Sequence, residues 1–283
     1  MSGSAGPMER RLLAILAHPD DESMGVGGTL ARYAAEGVAT HLVTATRGEA
    51  GRYFDADRPR PADEEVGRVR EAELRAAADV LGIRSVRVLG HPDGGLDGVP
   101  ADVILPELVR EIRRVRPQVV LTFDAYGAYG HPDHIAISQA ATAAAVAAAD
   151  PGFGAGEEGG EEGGEPSSHH RVAKLYHMAW DEATWAAYQE AFRELGSRVD
   201  GEARRAMPWP GWSITTRIDT RANAGRVWEA VRCHRTQMSI YGRLAELTPE
   251  RHEGLWGSQT FYRVFSTVNG GREKETDLFA GID

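Results

Sequence analysis

The chain lacks several features that would commit it to large protein classes. Cys233 is its only cysteine, so no disulfide can form within it. Lysine is nearly missing: Lys174 and Lys274 stand alone among 32 basic residues, and the rest are arginine. Positive charge is in deficit, with 42 acidic side chains giving a formal net charge of −10. A surface that grips a phosphate backbone needs the opposite balance, which argues against a nucleic-acid partner. Long apolar runs are also missing. The stretch at residues 12–17 passes directly into His18-Pro19-Asp20-Asp21-Glu22. A spanning helix needs about 20 apolar residues, and a signal peptide needs a longer apolar core and a cleavage site. The expectation is a cytoplasmic protein with no membrane insertion.

What is present is an ordinary globular composition. The 283 residues are 42% hydrophobic and 26% charged, enough to bury a proper core. Over the first 150 residues strand and helix signals alternate. Residues 11–17, 38–45, 85–89 and 118–123 read as short buried strands. Helical patterns separate them, from about Met24 to Gly37, over 63–81, over 102–116, and from Pro132 to near Asp150. Such alternation implies βαβ crossovers and a mainly parallel sheet. The fold expected is α/β, a Rossmann-like three-layer arrangement with a C-terminal elaboration. Residues 150–170 carry a Gly/Glu tract with almost nothing to bury and read as a flexible surface insertion. Beyond it, strands are expected at 172–179, 213–218 and 259–267, with helices at 181–196 and 221–235. The whole chain, 1–283, reads as one domain.

The polar residues fall where this fold binds ligands. Open parallel sheets bind ligands outside the carboxyl ends of their strands. The first strand ends in His18-Pro19-Asp20-Asp21-Glu22, and the fourth leads to Tyr129-Gly130-His131-Pro132-Asp133-His134. His18 with Asp21, and His131 with His134, have i, i+3 spacing that can aim two side chains at one point. A hydrolytic zinc site takes three protein ligands from His and Asp/Glu and leaves a position for water. The two clusters offer more donors than one ion needs, and the surplus, Asp20 or His131 or both, is available for proton transfer. A third copy, His91-Pro92-Asp93, is followed by Gly94-Gly95 and reads as turn chemistry, not as a metal ligand.

The paired motifs resemble the LmbE-like or PIG-L-type zinc-dependent de-N-acetylases, over about residues 12–150 and more faintly at His234-Arg235-Thr236-Gln237. The resemblance implies one Zn²⁺ per chain held by His18, Asp21 and His134. It implies Asp20 as general base and His131 as general acid or oxyanion stabiliser. Asp133 would orient a motif histidine, and Tyr129, with Tyr126 as its rival, would assist the oxyanion. It further implies Glu49, Arg70 and Asp93 as contacts to the substrate, a small amino sugar or glycoconjugate that loses an N-acetyl group. His234 and Gln237 match the family without a role that the residues themselves reveal.

Rival readings stay open at this point. One is an amidase of thiol S-conjugates using the same metal site. Another is a non-catalytic sugar- or metal-binding module. A third is a dinucleotide-binding protein using Gly25-Val26-Gly27-Gly28, although Leu30 stands where the third glycine of that fingerprint belongs. Self-association into a homo-oligomer is not set by the sequence.

Overall fold

The computed structural model describes residues 8–53, 59–154, 168–192, 196–199, 201–271 and 273–282. Strand β1 (Arg11–Leu16) is buried along five of its six residues. It is a central strand, paired in parallel with β2 (Ala39–Thr46) on one side and β4 (Val119–Thr122) on the other. Outside these lie β3 (Ser85–His91) on β2 and β5 (Lys174–Met178) on β4, both parallel. The remaining strands of this sheet reverse direction. β9 (Ser258–Ser266) runs antiparallel to β5, and β8 (Thr216–Asp219) antiparallel to β9. The order of the seven strands is β3-β2-β1-β4-β5-β9-β8.

That order positions the site. From β1 the chain steps one way to β2 and β3, then returns to place β4 and β5 on the other side. The loops leaving β1 and β4 therefore emerge side by side at a topological switch point, where such sheets open their ligand crevice. Helices cover both faces. α1 (Asp21–Ala35), α2 (Asp63–Leu81) and α7 (Ala224–Cys233) pack on one another, while α3 (Ala101–Val115) packs on α5 (Pro132–Ala147). In α3 the buried stripe Ile104, Leu108 and Ile112 follows the expected i, i+4, i+8 spacing. The C-terminal part adds β8 and β9 to the sheet and builds a second apolar cluster from Tyr188, Val227, Val231, Leu244, Leu255 and Trp256. No helix among the described residues is long and apolar enough to cross a membrane.

Several local expectations change. α1 starts at Asp21, three residues before Met24, so Asp21 and Glu22 form its acidic first turn, where the helix dipole favours negative charge. Gly25, Gly27 and Gly28 lie inside α1 and not on a phosphate-binding turn. A Cβ on Gly28 would stand 2.8 Å from the Thr220 Cβ and 3.0 Å from the Trp256 carbonyl oxygen, so this glycine permits close packing. The helix expected at 181–196 is α6 (Glu182–Phe192), and five short elements were not anticipated: α4 (Gly127–Gly130), the paired strands β6 (Gly196–Val199) and β7 (Glu202–Arg205), α8 (Met238–Tyr241) and α9 (Pro249–Trp256). Runs of four to eight residues hold too few turns or alternations for a period to be read. Most of the Gly/Glu tract, residues 155–167, lies outside the described residues.

The C-terminal sheet closes around one carboxylate. Glu275 accepts from Lys174 Nζ at 2.7 Å, Arg263 Nη1 at 2.8 Å, Tyr176 OH at 2.7 Å and Asn269 Nδ2 at 2.8 Å. Lys174 is fully buried on β5, so Glu275 is its counter-ion in the interior. Burial alone would raise the Glu275 pKa, but these donors more than reverse it and bring it from 4.5 to about 2. A carboxylate depressed in the folded state stabilises above its unfolded value and loses that contribution as pH falls through its folded value. Glu275→Gln is therefore expected to cost about 3 kcal/mol near neutral pH, because it strands a buried cation. In urea unfolding the gap to the native chain should narrow as pH falls from about 4.5 towards 2. A pH-independent gap would contradict the ion-pair account.

Candidate active site

The loop after β1 bends sharply. Asp20 has φ 114°, a left-handed conformation that a residue with a Cβ adopts only when its surroundings hold it there. Its surroundings do so. The Asp20 backbone N–H donates to Glu22 Oε2 at 2.9 Å. Its Oδ2 accepts from Arg70 Nη2 at 3.0 Å and from the Tyr241 hydroxyl at 2.9 Å. Arg70 also donates to the Pro19 carbonyl at 2.5 Å and the Gly48 carbonyl at 2.6 Å. Gly48 makes room for this: at φ 67° a Cβ there would lie 2.2 Å from Arg70 Nη1.

The loops after β1 and β4 converge. His18 Nδ1 lies 3.2 Å from His134 Nε2. Asp21 lies against both, with Oδ2 3.6 Å from His18 Nδ1 and Oδ1 3.5 Å from His134 Nε2. Donors about 2.0–2.2 Å from a tetrahedral ion stand roughly 3.3–3.6 Å apart; the two histidine nitrogens are close to that spacing, and Asp21 reaches each of them with a different oxygen. The far nitrogen of His18, Nε2, faces Asp133 Oδ2 at 3.0 Å and Asp93 Oδ1 at 3.1 Å. A ligating histidine commonly shows this pattern, one nitrogen towards the ion and the other held by carboxylates. Asp133 is itself fixed by the backbone N–H groups of Gly94 at 2.7 Å and Leu96 at 3.0 Å.

The charges point the same way. Burial pushes His18 down, yet Asp133, Asp21 and Asp93 more than reverse it and hold it well above the usual imidazole value. The cluster therefore draws positive charge. His134 stacks on Phe123 at 3.9 Å, and burial drives its pKa down to about 3, keeping it neutral. Its Nδ1 is buried without a hydrogen-bond partner among the described residues. With the proton on Nδ1, Nε2 presents its lone pair to His18 and Asp21, as a ligand nitrogen must. The donor set fits a divalent cation. Among the described residues, the groupings whose single ligand atoms lie within 4.8 Å of one another are His18 with His131 and His134, and His18 with Asp93 and Asp133; Asp21 borders the first of these through two different oxygens. Asp133 is the poorer donor of these, because two backbone N–H groups already hold it.

The remaining expected residues divide. His131 is the N-cap of α5, and its Nδ1 accepts from the Asp133 N–H at 3.2 Å. In the neutral ring the proton therefore sits on Nε2. Burial and the neighbouring His18 lower its pKa. The Tyr129 ring lies 5.1 Å from His134 and 6.0 Å from His131, while Tyr126 is 41% exposed at the surface. Glu49 Oε1 accepts from the Asp93 N–H at 2.9 Å, and its Oε2 is buried without a partner among the described residues. Asp93 meets His18, and Arg70 meets Asp20, so both support site residues. His91 points elsewhere, to Glu107 at 2.8 Å.

Two features were not expected from the sequence, and a third was named there without a role. Tyr241 touches Asp20 from the far end of the chain. Glu22, inside the first motif, receives the Asp20 N–H on one oxygen and faces His234 Nε2 at 2.8 Å with the other. The stretch His234–Gln237 is a tie: Thr236 bonds Glu73 through its N–H at 3.0 Å and its hydroxyl at 2.7 Å, and Gln237 Nε2 donates to the Arg52 carbonyl at 2.5 Å. Glu22 carried a signal in its place two residues after Asp20, and His234–Gln237 carried one in its match to the family motif; Tyr241 carried none.

The profile of the GlcNAc-PI de-N-acetylase (PIG-L) family matches residues 13–145. The chain is 36% identical, over 98% of its length and 96% of the relative's, to a protein of Acidothermus cellulolyticus named 1D-myo-inositol 2-acetamido-2-deoxy-alpha-D-glucopyranoside deacetylase. Among solved structures it resembles a conserved protein of Thermus thermophilus, with a TM-score of 0.60, 26% identity and coverage of 92% and 96% of the two chains. It also resembles a 4-carboxy-2-hydroxymuconate hydratase of Pseudomonas putida, with a TM-score of 0.66, 19% identity and coverage of 93% and 99%. That pairing shows the fold alone, and a hydratase on it is a reminder that fold does not choose the reaction.

The convergence of His18, Asp21 and His134 generates a binding test. Zinc titration followed by calorimetry should find a single tight ion per chain. His134→Ala should weaken it by about 100-fold or more, and His91→Ala should leave it unchanged. Equal affinity in the two variants would contradict the assignment.

Proposed function

The chain belongs to the GlcNAc-PI de-N-acetylase (PIG-L) family, and from that premise we propose that it is a metal-dependent hydrolase removing the acetyl group from a 2-acetamido-2-deoxy-glucopyranoside. The observation that carries this reading is the meeting of His18 Nδ1 and His134 Nε2 at 3.2 Å, with one Asp21 oxygen 3.6 Å from the first and the other 3.5 Å from the second, and the Asp20 carboxylate one residue before Asp21. Those three residues would hold the ion, and two nitrogens with a carboxylate suit zinc. When bound, the ion supplies Lewis acidity to water and to the amide carbonyl.

The chain's own groups supply the rest. Asp20 has one oxygen tied by Arg70 and Tyr241 and uses the other to take a proton from the attacking water. Burial raises its pKa against the pull of Arg70, which strengthens it as a base. His131, with its proton on Nε2, donates to the developing oxyanion or to the departing amine. The Tyr129 hydroxyl is a second donor for that oxyanion. Asp133 and Asp93 hold the His18 ring from behind. The balance is simple: water's oxygen bonds to the acyl carbon, the C–N bond breaks, and the amine leaves with a proton, giving acetate and the free amino sugar.

Two substrate contacts are reassigned in this reading. Arg70 positions Asp20 and does not contact the sugar, because its terminal nitrogens already bond Asp20, Pro19 and Gly48. Asp93 likewise serves His18. Glu49, with Oε2 unpartnered, remains as an acceptor for a sugar hydroxyl. For the aglycone we take inositol, because the relative matched along nearly the whole chain is named for that glycoside.

The test is release of acetate and free amine from the inositol glycoside by the zinc-loaded chain, run beside an N-acetylated thiol S-conjugate. Asp20→Asn should keep its metal and lose about 10²- to 10⁴-fold in kcat. A near-native rate in that variant removes Asp20 as base. Cleavage of the S-conjugate alone turns the assignment to an amidase.

A further inference from the structure

We propose that Tyr241 is a positioning residue for the Asp20 carboxylate, fixing which of its oxygens faces the substrate. The proposal rests on the reading of Asp20 as general base. A carboxylate is two-fold about its last torsion and holds that angle loosely unless neighbours define it. Here two donors, Arg70 Nη2 at 3.0 Å and the Tyr241 hydroxyl at 2.9 Å, meet the same oxygen, Oδ2. A charge-assisted pair of bonds on one oxygen locks the rotation and leaves Oδ1 to accept the proton.

The hydroxyl is itself braced. The Tyr241 ring meets Phe192 edge-on at 6.2 Å. Phe192 stacks on Tyr188 at 5.9 Å, and Tyr188 stacks on Trp180 at 4.6 Å. Tyr188 donates its hydroxyl to the Met24 carbonyl at 2.5 Å. The row is thereby anchored on α1, the helix whose first turn holds Asp21 and Glu22. Residues 234–241 thus approach Asp20 from two ends. His234 faces Glu22, which takes the Asp20 N–H and fixes the strained backbone, while Tyr241 fixes the side chain. Both ties come from the C-terminal elaboration, outside the two histidine motifs.

The experiment is Tyr241→Phe in the full zinc-loaded chain, which removes the hydroxyl and keeps the ring packing, with Asp20→Asn run alongside. The expected result is a fall in kcat of about tenfold, the order of one hydrogen bond to a charged group, with KM within about twofold and metal content unchanged. In the Asp20→Asn background the same substitution should add nothing, because both act through one carboxylate. Rates are taken per folded, metal-loaded chain, so a lowered Tm does not obscure the outcome. An unchanged kcat in Tyr241→Phe beside an inactive Asp20→Asn overturns the proposal and spares the base. A rise in KM alone also overturns it and makes the hydroxyl a substrate contact. A near-native Asp20→Asn removes the base and this proposal with it.

Discussion

The structure turns on a concentration of lone pairs that burial will not tolerate without a cation. His18 Nδ1, His134 Nε2 and the Asp21 carboxylate point at a common place, and Asp133 and Asp93 back them within hydrogen-bond reach of His18. Desolvated acceptors of this kind repel one another, and a positive charge among them relieves the repulsion. The protein expresses that demand in the raised pKa of His18, where burial alone would lower it. Much of the surrounding detail serves to keep the arrangement from relaxing. Asp133 is pinned by backbone N–H groups, His134 is stacked on Phe123, and Asp20 is held in a left-handed backbone by Glu22 and Arg70.

The fold supplies the meeting place. β1 and β4 are neighbours in the sheet although more than 100 residues separate them in sequence. Their following loops therefore emerge side by side at the carboxyl end, one carrying His18 to Glu22 and the other Tyr129 to His134. A sheet with the same strands in sequential order would hold those loops apart. The C-terminal part then extends the sheet through β9 and β8 and sends residues 234–241 back over α1 and α2 to reach Glu22, Glu73 and Asp20.

What could be read in advance follows a physical divide. The alternation of β1 to β4 with their helices is local periodicity, so the parallel sheet was legible. That the two motifs meet was legible because each is a short run with i, i+3 spacing at a strand end, while the choice of His18, Asp21 and His134 among their donors rested on the family resemblance. The role of Arg70 was not legible, because its partners Asp20, Pro19 and Gly48 come from loops brought close only by the sheet. Tyr241 left no trace either: one tyrosine in a four-residue helix has no period, and its partner lies 221 positions away. The start of α1 shifted to Asp21 because the motif doubles as the helix's acidic first turn. The net charge of −10 is likewise divided, with five glutamates, Glu157, Glu158, Glu161, Glu162 and Glu165, in the Gly/Glu tract and others crowded at the strand ends.

The most direct measurement of the central claim is an anomalous-scattering map, at the zinc edge, from crystals grown with zinc. The account predicts a single strong peak about 2.0–2.2 Å from His18 Nδ1, His134 Nε2 and an Asp21 oxygen, with Asp133 and Asp93 still on the far side of His18. A peak between His91 and Glu107, or no peak in this cluster at saturating zinc, would contradict it.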